Sequence, residues 1–235
     1  MRTLVFVAAE AREFTGILGR LGNVHKLKWA IDFARSGELN DRRWLLLANG
    51  PGPRLAAAAL GAVRQREKDM DALISTGFCG ALDPALAVGD ILTGSRVLDP
   101  DGPREFVARL PESTRRHATG AVISVDRVAT TVQRKRELRM AGASVVEMEA
   151  AEVAAHAAEW NVPFYCVRAV SDTATQAFGI DFNSVRDGEG RFGRARIVLA
   201  ALRRPFLRFP ELLRLDKSCQ LAAESLGEFL ADCRF

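Results

Sequence analysis

Three short runs of this sequence gather residue types that do chemistry. In Val145-Val146-Glu147-Met148-Glu149-Ala150-Ala151, two carboxylates flank a methionine where a β-prone run gives way to a helical one. Acidic groups there either stabilise a helix N-terminus through its dipole or bind a polar ligand. In Val167-Arg168-Ala169-Val170-Ser171-Asp172-Thr173, an apolar run delivers Asp172 at its end with Ser171 beside it. That aspartate either caps the next turn or serves as an acid. The third run, Ser75-Thr76-Gly77-Phe78-Cys79-Gly80-Ala81-Leu82, places glycines directly after an apolar segment, where a ligand can approach the backbone.

These runs need a scaffold, and the periodicity supplies one. Leu4 to Ala9 reads as a buried strand, followed by a helix over about 11–21. Trp44 to Ala48 is another apolar run, closed by Asn49-Gly50-Pro51-Gly52-Pro53 and followed by an alanine-rich helix over about 54–66. Strands are expected over 71–76, 88–97, 120–125 and 164–170. Helices are expected over 133–141, ended by Gly142 at a C-cap, and over 149–160, broken by Asn161-Val162-Pro163. Two further helical segments, about 194–204 and 218–232, form the tail. Strands alternating with helices imply an α/β fold: one domain over 1–235, with a mixed, largely parallel sheet flanked by helices. In such sheets, binding groups collect at the carboxyl ends of strands, where all three runs stand.

Composition excludes several other classes. The 235 residues are 48% hydrophobic and 26% charged, which is ordinary for a soluble globular chain. The net charge of +4 is spread over scattered pairs such as Arg42-Arg43 and Arg203-Arg204, so no nucleic-acid partner is expected. Cys79, Cys166, Cys219 and Cys233 form no C-x-x-C pair, and His25, His117 and His156 lack ligand spacing, so no metal and no cofactor is expected. No signal peptide opens the chain and no apolar run reaches the ~18 residues of a membrane span. Reduced cysteines and a cytoplasmic location fit these features best.

Taken together, the runs resemble the nucleoside phosphorylase and nucleosidase superfamily. The resemblance is strongest to the branch that hydrolyses methylthioadenosine and S-adenosylhomocysteine. VEMEA at 146–150 followed by VRAVSD at 167–172 is the specific signature, STGFCGALDPALAVGDIL over 75–92 matches the central glycine segment, and the likeness runs from the first strand to about Thr173. The resemblance implies hydrolysis of an N-glycosidic bond. Asp172 would protonate the leaving base at N7, and Ser171 would orient it. Glu149 would accept bonds from the ribose hydroxyls, with Met148 packed on the sugar and Glu147 at the same edge or in an ion pair. Gly77 and Phe78 would border the substrate, Val128 would take the place of a base-stacking aromatic ring, and backbone near Phe164 and Tyr165 would meet the base. Glu10 or Glu13 would activate water, Glu10 being preferred because it stands closer to the strand end.

Two departures sharpen the expectation. Ser75 and Phe78 stand where a phosphorylase carries an arginine and a serine, which disfavours phosphate as co-substrate and leaves Arg12 and Arg54 as substitutes. Phe78 and Val128 also depart from the hydrolases, so a less common substrate comes into view, such as the adenosylated lipid handled by hopanoid-associated relatives. The divergent helical tail from about 190 has no family counterpart. The alternatives are a phosphate-dependent purine nucleoside phosphorylase and, from another class, a non-catalytic nucleoside-binding protein. The family further implies a homodimer.

Overall fold

The architecture comes from a computed structural model, which describes residues 2–100, 104–184, 186–188, 190–191 and 205–235. The expected helix over 194–204 lies outside them.

Ten strands form a single sheet. β1 (Arg2–Ala8) and β4 (Arg42–Ala48) pair in parallel, and β1 also pairs in parallel with β5 (Ala72–Ala81). β2 (Gly22–Lys26) and β3 (Phe33–Leu39) extend that edge as antiparallel strands. On the other side, β5 pairs with both β10 (Phe164–Asp172) and β9 (Val145–Glu147). β6 (Ile91–Asp99) and β8 (Ala118–Ser124) link β10 back to β9. The circuit β5–β10–β6–β8–β9–β5 is therefore closed, leaving no free edge there. Among the described residues β7 (Arg104–Val107) pairs only with β6.

Among the described pairings five are parallel (β1–β4, β1–β5, β5–β10, β6–β8, β8–β9) and five antiparallel. The sheet is mixed and not largely parallel, which corrects the expectation. The difference lies in β2, β3 and β7, which carry no apolar run, in β9, whose three residues enter antiparallel to β5, and in β6, which runs antiparallel to β10. Every residue of β2 is exposed, so burial left no alternation to read.

Helices cover both faces. α1 (Thr15–Leu18) follows a 3-10 turn over Ala11–Phe14; the expected continuous helix over 11–21 is thus two short turns. α2 (Pro53–Arg64) and α4 (Ala150–Glu159) lay their alanine and leucine faces on one side of the sheet. α3 (Val132–Met140) starts at Thr131, whose hydroxyl accepts from Arg134 N–H at 3.1 Å, and stops before Gly142 at φ +91°. α5 (Pro205–Asp232) crosses the opposite face, burying Ala222, Leu226, Phe229 and Leu230 against β1, β4 and β10. Gly16 and Gly227 let it cross α1 with the backbones in contact, since a Cβ at either would meet the partner's main chain.

Candidate active site

The strand ends meet in one cavity of about 530 Å³, within the range of small-molecule sites. β1 runs on into the turn holding Glu10 and Glu13. β5 contributes Phe78, Cys79 and Gly80, β9 Glu147, and β10 Ser171 and Asp172. β5 does not stop at Thr76 as its sequence suggested. It continues through Gly77 at φ +126°, a conformation other residues rarely adopt. A Cβ there would also lie 2.6 Å from the Glu13 Oε1, so glycine is what lets that carboxylate approach.

Glu13 and Glu10 separate clearly. Glu13 is buried; its Oε1 accepts from Phe78 N–H and its Oε2 from Glu10 N–H, both at 2.7 Å. Burial pushes its pKa up from 4.5 to about 7, the two backbone donors opposing. Glu10 is half-buried at the rim, 3.3 Å from Arg12. Position along the chain favoured Glu10; the short 3-10 turn instead rotates Glu13 inward.

The VEMEA carboxylates also divide. Glu147 accepts from Ser124 Oγ, from Glu149 N–H at 2.9 Å and from Ala150 N–H, and it pairs with Arg168. It caps α4 and neutralises a guanidinium that is wholly buried. Glu149 accepts from Gly52 N–H at 2.8 Å and lies 3.9 Å from Arg168. Burial, then the charge of Glu147, holds its pKa well above the carboxylate range. Met148 lines the cavity between them. Arg168 also donates to Thr76 O at 2.7 Å and to Ser75 Oγ, and its Nε finds no partner among the described residues. Ser75 is thus the anchor of a structural cation.

On the other side, Ser171 Oγ donates to Asp172 Oδ1 at 2.8 Å, and Lys135 Nζ donates to Asp172 Oδ2 and, at 2.7 Å, to Thr173 O. Val128 lines this side, its N–H and carbonyl both bonded to the Asn183 amide at 2.9 and 3.1 Å. Phe178, Phe182, Phe209, Leu212, Leu213 and Leu215 complete an apolar wall. Cys79 and Cys219 also face the cavity, but burial raises the first thiol well above its usual range and the second to about 11, so neither offers a thiolate.

Phe164 is not part of the site. It begins β10, opposite Leu73, while Asp172 ends the strand opposite Gly80. Eight steps along a strand separate the two by about 26 Å. The expectation of base contacts near Phe164 and Tyr165 is therefore corrected; the backbone beside the cavity is that of Val128 and Ala129. Of the substitute phosphate groups, Arg12 lines the rim but lies 3.3 Å from Glu10 and 3.7 Å from Asp216, and Arg54 is absent from the lining. Sequence reasoning missed Lys135, Arg168 and Ser124. Each is a polar residue inside an element, and only the closed sheet reveals what it faces.

A family model described as "Phosphorylase superfamily" matches residues 9–113 and 104–202. The chain belongs to that superfamily. A 5′-methylthioadenosine/S-adenosylhomocysteine nucleosidase of Staphylococcus aureus (strain bovine RF122 / ET3-1) is 28% identical over 205 residues, covering 76% of this chain and 90% of that protein. The fold resembles that of a Streptococcus pyogenes S-adenosylhomocysteine nucleosidase crystallised with 5-methylthiotubericidin, with a TM-score of 0.75, 17% identity and coverage of 98% and 95%. It also resembles a futalosine hydrolase of Helicobacter pylori, with a TM-score of 0.72, 16% identity and coverage of 99% and 98%. No helix of the described residues is long and apolar enough to cross a membrane, and no group of three His, Cys, Asp or Glu among them is placed to hold a metal.

Proposed function

We propose that the protein hydrolyses the N-glycosidic bond of an adenosine derivative with an apolar 5′ substituent, releasing free base. The observation that carries this reading is that Glu13, Glu149 and Asp172 line one cavity while each is held by a different set of donors. Breaking the bond needs a base for water, an acceptor for the ribose hydroxyls and an acid for the leaving purine. Glu13 takes a proton from water as the water oxygen bonds C1′. The C1′–N9 electrons pass into the purine, and Asp172 gives a proton to N7. Glu149 accepts from the ribose hydroxyls through its carboxyl oxygens and so holds the sugar in place. A carboxylate titrating near 7 is matched to activating water at neutral pH.

Water is favoured over phosphate because Arg168, the buried cation behind the floor, is already matched by Glu147. The wall of Phe178, Phe209, Leu212 and Leu213 suits an alkyl group at the 5′ position better than the charged tail of S-adenosylhomocysteine. The reading extends to one functional unit over 1–235 and to a homodimer.

The test is base release, followed by chromatography, from methylthioadenosine, S-adenosylhomocysteine, adenosine, inosine, guanosine and 5′-alkylthioadenosines of increasing chain length, each with and without phosphate. Release without phosphate that improves with chain length is expected. Strict phosphate dependence would make it a phosphorylase, and binding without any release would make it a nucleoside-binding protein.

A further inference from the structure

Lys135 has no role in the reading above, yet it is among the most buried large side chains of the molecule, with 1% of its surface exposed. α3 is otherwise a surface helix: Gln133, Arg134, Arg136 and Glu137 face solvent, and only Lys135 and Leu138 are buried. Packing needs alone would be met by a second leucine. Removing an ammonium from water costs several kcal/mol unless strong partners replace the solvent. Here they are a carboxylate oxygen of Asp172 and the carbonyl of Thr173, while the Phe178 ring, with its centroid 5.6 Å from Nζ, covers the remaining side.

The arrangement fixes both oxygens of Asp172. Ser171, itself 3.2 Å from Cys79 O, donates to Oδ1, and Lys135 donates to Oδ2. A group that gives its proton to a leaving base becomes negative as the proton moves. A preorganised cation beside it stabilises that developing charge, the more so away from water. The geometry points to Lys135 as a positioning residue for base departure, one that orients the Asp172 carboxyl and stabilises the carboxylate left when its proton passes to the purine.

This inference rests on Asp172 being the acid, and the experiment separates the two. Lys135→Met, Lys135→Arg and Asp172→Asn are compared on an adenosine substrate and on 4-nitrophenyl β-D-ribofuranoside, whose phenolate leaves without a proton. Folding is checked by circular dichroism and thermal unfolding. On the adenosine substrate, Lys135→Met is expected to lower kcat by about 100-fold with KM little changed, and Lys135→Arg to recover part of it. On the nitrophenyl riboside, Lys135→Met should stay within about threefold of the unaltered protein, since no acid is needed there. Equal losses on both substrates, or a loss carried in KM, would assign Lys135 to structure and overturn the inference. If the riboside is not turned over, the kcat-against-KM split decides. If Lys135→Met does not fold, Lys135→Arg decides, because a kcat loss confined to the adenosine substrate still requires an effect on the acid. Full activity in Asp172→Asn would instead overturn the role of Asp172 itself.

Discussion

The cavity has two halves built on different plans. Its floor is polar and anchored to the sheet: Asp172 ends β10, Glu149 follows β9, and Glu13 sits in the turn after β1, pinned to β5 by Phe78 N–H. Its wall is apolar and made by α5 with the segment before Phe182, whose own small cluster of Ile180 and Phe182 is separate from the main core. The floor therefore holds its groups in place before any ligand arrives, as bond-breaking demands, since misplacement by about an ångström is costly in rate. The wall grades binding by shape and apolar area. Chemistry should reside in the first half and substrate choice in the second.

Substitutions can break or sharpen that division. The largest effect is expected from Asp172→Asn, which should lower kcat by about 10²–10⁴-fold while nucleoside binding, read by calorimetry, persists. Arg168→Met should destabilise the fold by about 3–5 kcal/mol in urea unfolding, because Glu147 is then left buried without its cation. A floor that tolerated this change would not be the rigid half. Glu13→Gln should cost roughly 100-fold in kcat and remove the rise in rate as pH passes through about 7, where Glu13 loses its proton.

The same group has a stability signature. Its pKa is raised on folding, so the folded chain binds the extra proton. The stability is present below about 4.5, fades as pH rises towards about 7, and totals about 3 kcal/mol at most. Glu13→Gln should flatten that dependence in unfolding measured from pH 4 to 8. The smallest effect belongs to the wall. Leu212→Ala and Phe209→Ala should raise KM for long 5′-alkyl adenosines by up to about tenfold and leave kcat alone. A kcat loss there would show that the two halves are not separate.

The floor was far more legible than the wall. β1, β5 and β10 are buried along most of their length, so each appears as a largely apolar run, and the acidic or glycine residues at its end stand out. VEMEA and VRAVSD were placed together by the resemblance to the superfamily, before any coordinates. Which of Glu10 and Glu13 is buried was not legible. A 3-10 turn and a helical turn bring different faces inward, and the deciding contacts, Gly77 and Phe78 N–H, lie over sixty residues away. Lys135 was hidden for a related reason: in Arg134-Lys135-Arg136 nothing local marks which cation is buried. The wall escaped because α5 is 28 residues long with Pro210 inside it, and its first half carries charges and leucines without a clear stripe. Only the part over 218–232, which packs on the sheet, could be anticipated.

The manner in which α5 closes the molecule bears on how it is made. Phe235 rests its ring against Phe6, Trp44 and Tyr165, and its carbonyl accepts from Arg42 at 2.8 Å. Arg234 bridges to Glu112, and Asp232 holds Ser113 and Thr114. These contacts join residues 232–235 to β1, β4, β10 and the 112–114 loop, at sequence separations from about 70 to over 220 residues, so the loop-closure entropy of the longest is met late. A chain leaving the ribosome can complete β1 to β10 and assemble every carboxylate of the floor while one face of the sheet is still bare. During that interval the apolar face that α5 later covers is open to aggregation, and Glu13, Glu149 and Asp172 are gathered before the wall of their cavity exists.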